Sequence, residues 1–261
     1  TPLYSSAASD VYKRQAYYRR LEVQALSRIL RAKMSKPSME IKSLLPSIEE
    51  LSELKLDRIA EAEDVEKVVE LLRGTPYSSI VKSLDWYREY NSVLPLEYHL
   101  KRIYYTTTLE ALQSLYGEDR ERIGRLLRIE VDIANCFTAV APILYGYSTD
   151  LCRELIIPHF FRLPVSNVKE ATEAKSPRSI VTYLRSYEEI VKCLLEEKDE
   201  GLAETKALKL IRGEARKQAV EANIDFAYAI CYLILHEIER KNLTLIAYQV
   251  QENLDAKRYL V

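Results

Sequence analysis

The chain reads as an all-α protein, and three observations lead there. Only six Gly and nine Pro occur in 261 residues, while Leu, Glu, Ala, Lys and Arg abound, a balance that favours helices over turn-rich sheets. Apolar residues recur at i, i+3, i+4 and i+7 across 118–144, the period of a helix buried along one stripe. No hairpin turn of the Asn-Gly type interrupts the pattern.

Taken in order, the elements justify themselves locally. The opening TPLYSSAASDVYKRQ carries no clear periodicity and reads as a tract carried over from cloning, outside the fold. Ser47 and Glu50 form a capping box, each side chain able to satisfy the other's free amide. A helix over 65–73 should stop at Gly74, and Thr75-Pro76 then supplies an N-cap and a first-turn proline. Pro95 opens another helix that Gly117 closes. The stretch 118–144 is the strongest helix, with Pro142 expected to kink or end it. A second long helix is expected from Glu214 to Lys241.

Composition bounds the function. At 30.3 kDa one large or two to three small domains are expected. Thirty-eight basic residues nearly cancel thirty-nine acidic ones, so no global field for nucleic acid exists. The least polar run, 133–149, contains Asn135, Pro142 and Gly146 and falls short of a membrane span of roughly 20 apolar residues. Cys136, Cys152, Cys193 and Cys231 show no C-x-x-C pair and read as reduced, buried thiols of a cytosolic protein. Nineteen tyrosines suit helix packing or a large interface.

One short phrase recurs. RIEVDIAN (128–135), HEIERKN (236–242) and, more faintly, LEVQALS (21–27) each place Glu before Val or Ile, then Asn or Ser five positions on. The anchoring residues are Glu22 with Ser27, Glu130 with Asp132 and Asn135, and Glu237 with Glu239 and Asn242, 107 or 108 residues apart. A hydroxyl-Pro helix start, Thr75-Pro76 and again Ser176-Pro177, and an LLP/IIP element at 44–46 and 156–158 keep the same order. So long a period exceeds solenoid repeats of roughly 20–50 residues and implies tandem helical-bundle lobes. The expected division is 1–36, the suspect tract plus the last helix of a truncated first lobe, then 37–145 and 146–261. Asp132 and Asn135 share a helix face, and such an Asn is expected to hydrogen-bond a neighbouring segment.

The ordered set LRAK (30–33), LLRGTPY (71–77), EVDIAN (130–135) and LHEIERKNLTLI (235–246) closely resembles the C subunit of archaeal A-type ATP synthases, the counterpart of the d subunit in V-type ATPases, over roughly 17–261. That resemblance implies an all-helical funnel with pseudo-threefold repeat, without catalysis or cofactor, on the cytoplasmic face of the membrane. Its implied partners are the central-stalk subunits and the membrane rotor ring. Gln24 and Ser27 depart from the Asp and Asn usual there, and TAVA (138–141) replaces an LRAK-like ending.

Two rival readings stand beside it. HEIER (236–240) begins like a zinc-binding H-E-x-x-H, but Arg240 stands at the second ligand position, so no metal site is expected. No phosphate-binding loop or nucleophile elbow occurs. Tyr17, Tyr18, Arg19 and Arg20 could contact single strands, keeping a helical scaffold or nucleic-acid adaptor as the alternative; the reading adopted expects no nucleic acid.

Overall fold

The structure is a computed structural model that describes residues 2–35, 41, 45–46, 52, 54–55 and 56–114, then 117–221, 226–253, 255 and 257–261, with side chains from 18 onward apart from 114. Among the described residues every regular element is helical. The helices are α1 (Pro2–Ser35), α2 (Leu56–Ala60), α3 (Val65–Leu71), α4 (Leu84–Tyr90), α5 (Leu94–Ala111), α6 (Gly117–Tyr145), α7 (Thr149–Leu155), α8 (Val165–Glu173), α9 (Pro177–Tyr183), α10 (Glu188–Leu195), α11 (Glu200–Glu221) and α12 (Phe226–Glu252).

Two compact units result, residues 1–114 and 115–261. In the first, α1 packs on α5, α2 and α3, and Leu26, Ile29 and Leu30 meet Val68, Leu72, Ile80, Leu96 and Leu100 in a dry core. In the second, α6 packs against α8, α10, α11 and α12, and Leu126, Ile129, Ile133, Cys136 and Val140 join Val168, Ile180, Ile190, Leu194, Ile211 and Ile234. All four cysteines are free and buried. No helix among the described residues is long and apolar enough to cross a membrane.

Several local expectations meet a different outcome. Residues 2–15 of the opening tract are helical and form the start of α1. The capping box at Ser47 and Glu50 lies outside the described residues. Helix α3 ends at Leu71, and Gly74 follows at φ 78°, a left-handed conformation that glycine adopts freely. Thr75-Pro76 leads into a 3-10 turn over Ser78–Ser83 rather than an α-helix. Gly117 does not close α5, which ends at Ala111; it opens α6 at φ 67°. Pro142 lies in the last turn of α6, which runs three residues further to Tyr145.

The expected helix from Glu214 to Lys241 is two helices, α11 and α12. The first turns of α6 explain the division. Asp119 accepts the Ala227 amide at 2.8 Å, and Arg122 donates to the Glu221 carbonyl at 2.9 Å. A carboxylate thus meets the positive end of α12 and a guanidinium the negative end of α11, each the favoured sign for a helix terminus. Periodicity alone could not reveal a break that a third helix caps.

Candidate functional site

The repeated phrase marks where long helices grip irregular chain. In α6, Asn135 is fully buried and pairs with the main chain of Ile157: its amide donates to the Ile157 carbonyl at 3.0 Å, and its oxygen accepts the Ile157 amide at 2.9 Å. One turn earlier, Asp132 is also fully buried. It accepts the amides of Phe161, Arg162 and Leu163 at 3.1, 2.6 and 3.3 Å and the Tyr187 hydroxyl at 3.0 Å. The segment between α7 and α8 is therefore pinned along α6 by two side chains. Burial raises the Asp132 pKa despite these four donors, and it raises that of Tyr187 further, so the tyrosine stays a donor.

Helix α12 repeats the Asn pairing. The Asn242 amide donates to the Val261 carbonyl at 2.9 Å and its oxygen accepts the Val261 amide at 2.9 Å. The tail is held at two further points. Tyr259 donates to Asp199 at 2.9 Å, and Asp199 also caps α11 through the Leu202 amide at 2.8 Å. Thr205 donates to the Tyr259 carbonyl at 3.2 Å.

Helix α1 carries the carboxylate half of the device. Buried Glu22 accepts the Tyr77 hydroxyl at 2.7 Å and that of Ser52. In its contacts Glu22 therefore corresponds to Asp132 rather than to Glu130, and each tyrosine lies 55 residues after its carboxylate. Glu130 and Glu237 are buried, Ser27 is half-buried and Glu239 is exposed. Thr75 accepts the Tyr77 amide at 3.2 Å while donating to the Leu72 carbonyl at 2.7 Å, which orients the tyrosine. Pro76 follows it, exposed. Ser176 accepts the Ser179 amide at 3.1 Å and Pro177 opens α9.

Sequence reasoning missed the polar contacts that lie between elements. Glu97 on α5 is buried and forms a two-pronged pair with Arg31, at 2.5 and 2.6 Å. His99 sits between Ser83 at 2.7 Å and Ser79 at 3.3 Å, its pKa pushed down to about 4 by burial, with Arg102 and Lys82 adding to the effect. Buried Glu214 lies 2.8 Å from Arg125 and 4.0 Å from Arg162, whose guanidinium groups both lie over the Phe161 ring. None of these residues recurs in a spacing that a single sequence could display.

What this arrangement does chemically is hold main chain in place. Glu22, Asp132 and Asn135 each meet protein hydrogen-bonding groups, and burial beside a carboxylate raises the pKa of both tyrosines far beyond ordinary phenols. His236 stacks on Tyr232 with centroids 6.1 Å apart. Among the described residues no group of His, Cys, Asp and Glu could hold a metal ion.

The chain is similar to the C subunits of A-type ATP synthases from several archaea. It is 24% identical to that of Methanothermobacter thermautotrophicus over 247 residues, 91% of this chain and 64% of the relative. Against Methanosphaera stadtmanae it is 26% identical over 133 residues, 51% of this chain and 34% of the relative, and against Methanococcoides burtonii 25% over 155 residues, 59% and 42%. The chain thus spans between about a third and two thirds of the relatives it matches. The model of the ATP synthase (C/AC39) subunit family matches residues 11–259, Glu22, Tyr77, Asp132, Asn135, Tyr187 and Asn242 included, and the chain belongs to that family.

Proposed function

We propose that this chain is a non-catalytic central-rotor adaptor, joining the central stalk of an A/V-type rotary ATPase or ATP synthase to its membrane rotor ring. It would act at the cytoplasmic face of the membrane, bound peripherally through the complex and supporting coupled ion transport. The observation that carries this reading is the family match across 11–259. The geometry agrees with it in kind. A part that passes torque needs stiffness, which dense helical cores supply, and long helices tied side chain to main chain resist shear between neighbours. The same reading takes 37–145 and 146–261 as two lobes of a funnel built on a threefold repeat, with 1–36 ending an earlier lobe.

Co-purification tests the proposal. The full-length polypeptide, mixed with properly folded central-stalk subunits and rotor ring, is expected to bind both together. Failure to bind either one removes the adaptor role. Salt-sensitive binding to oligonucleotides without stalk binding would instead favour a nucleic-acid adaptor.

A further inference from the structure

Helix α11 turns a cationic face outward that the fold leaves unused. Its inner side buries Ala203, Ala207, Ile211 and Ala215. On the opposite side, at 100° per residue, Lys209, Arg212, Arg216 and Lys217 share one arc with Gly213 and Val220. Arg212 is half-buried and the other five are exposed, Val220 by 87%. Between 205 and 220 the one acid is Glu214, which is buried and faces Arg125 and Arg162. Among the described residues α11 makes its ion pairs through Glu204, Lys206 and Glu214, and the four cations of the arc make none. Gly213 is a second, separate observation. Glycine inside a helix is destabilising relative to alanine, yet here the backbone is ordinary α-helix and a Cβ would meet nothing within 4 Å. Nothing in the fold calls for a glycine at that place. What it leaves is a notch among the cations, where another backbone can approach closely.

We propose that this face of α11 docks an acidic helix of another protein, its carboxylates meeting the four cations and its backbone crossing at Gly213. Val220, seven residues beyond Gly213 on the same arc, gives the contact an apolar anchor. Cations at 209, 212 and 216 step by four and three, the spacing at which a facing helix presents Asp or Glu. The formal net charge of the chain is −1, so with these four cations gathered here the remainder is net acidic. A membrane or a nucleic acid spreads its negative charge widely enough to meet that remainder and be repelled, whereas a single helix meets the stripe alone. The inference rests on the reading of the chain as one subunit of an assembly, which supplies the neighbour.

Cross-linking in the rotary complex that contains the full-length polypeptide tests it. With p-benzoylphenylalanine at position 220, which removes no charge, irradiation should link to a peptide of another subunit that carries Asp and Glu at helical spacing. A link to lipid, to nucleic acid, to the same polypeptide or to a peptide without acids would overturn the inference. So would the absence of any link in a complex that has assembled normally, and the rotor reading would then still stand. Arg212→Gln with Arg216→Gln should weaken binding to the remaining subunits about tenfold at physiological salt, with circular dichroism unchanged; parental affinity would count against the proposal. Gly213→Ala should melt no lower than the parent, because a methyl group there meets nothing in the chain. Gly213→Trp should fold as well, yet bind about tenfold more weakly. A tryptophan variant that binds like the parent, or an alanine variant that melts lower, would overturn the close approach at Gly213.

Discussion

A single carboxylate, Asp132, accepts three main-chain amides, and its removal should be costly. Asp132→Ala leaves three main-chain amides and the Tyr187 hydroxyl without this acceptor; unfolding titrations should show a loss of roughly 3 kcal/mol, against about 1 kcal/mol for Tyr187→Phe. The double variant should cost less than the sum, because the pair shares one bond. His99 supplies the pH signature. Its folded pKa is lowered to about 4 from an unfolded value near 6.5, so between those values the unfolded chain binds the extra proton and stability rises with pH. The span is worth roughly 3 kcal/mol at most. Asp132, whose pKa is raised, tilts stability the opposite way, so the informative measurement is His99→Gln against the parent. The variant should flatten the rise between pH 4 and 6.5 in denaturant titrations, and an unchanged slope would refute the assignment.

Helices owe their boundaries to partners as much as to their own residues. Ser176 and Pro177 announce α9 locally, and Ser176→Ala should cost about 1 kcal/mol in thermal or chemical unfolding. At the α11–α12 junction the capping groups come from far away in sequence: Asp119 and Arg122, about a hundred positions earlier, cap its two sides. That contrast explains what was legible. The all-helical class, the long α6 and the hydroxyl-proline start at Ser176 could be read because their causes lie within one or two turns. The division of 214–241 could not. Gly201 belongs to the same lesson. A Cβ there would stand 3.2 Å from the Tyr259 ring, so Gly201→Val should loosen residues 257–261 while sparing the body of α11, seen as faster amide exchange there at unchanged helical circular dichroism.

Across the whole molecule, near-neutrality and dry cores say more than any one site. With thirty-eight cationic and thirty-nine anionic side chains, the chain as a whole has no net positive field to draw it to polyanions. Fluorescence anisotropy with a labelled oligonucleotide at physiological salt should detect no binding tighter than the non-specific range of roughly 10⁻⁴ to 10⁻⁶ M. The repeated phrase was visible at this scale, yet its meaning was only half visible. Asn135 could be picked out as a register-fixing residue because it stands on an apolar helix. The pairing of Glu22 with Tyr77, and of Asp132 with Tyr187, could not, since only the folded chain brings residues 55 apart together.

The Asn doublets carry one more consequence. Each closes a small two-bond ring on a peptide unit that belongs to no helix, at Ile157 and at Val261. Two amide protons in otherwise irregular chain should therefore trade with deuterium as slowly as helical neighbours do. Because residues 257–261 lean on Asn242 for that shelter, the segment should let go in one step, and Asn242→Ala should turn its slowest amide into one of its fastest.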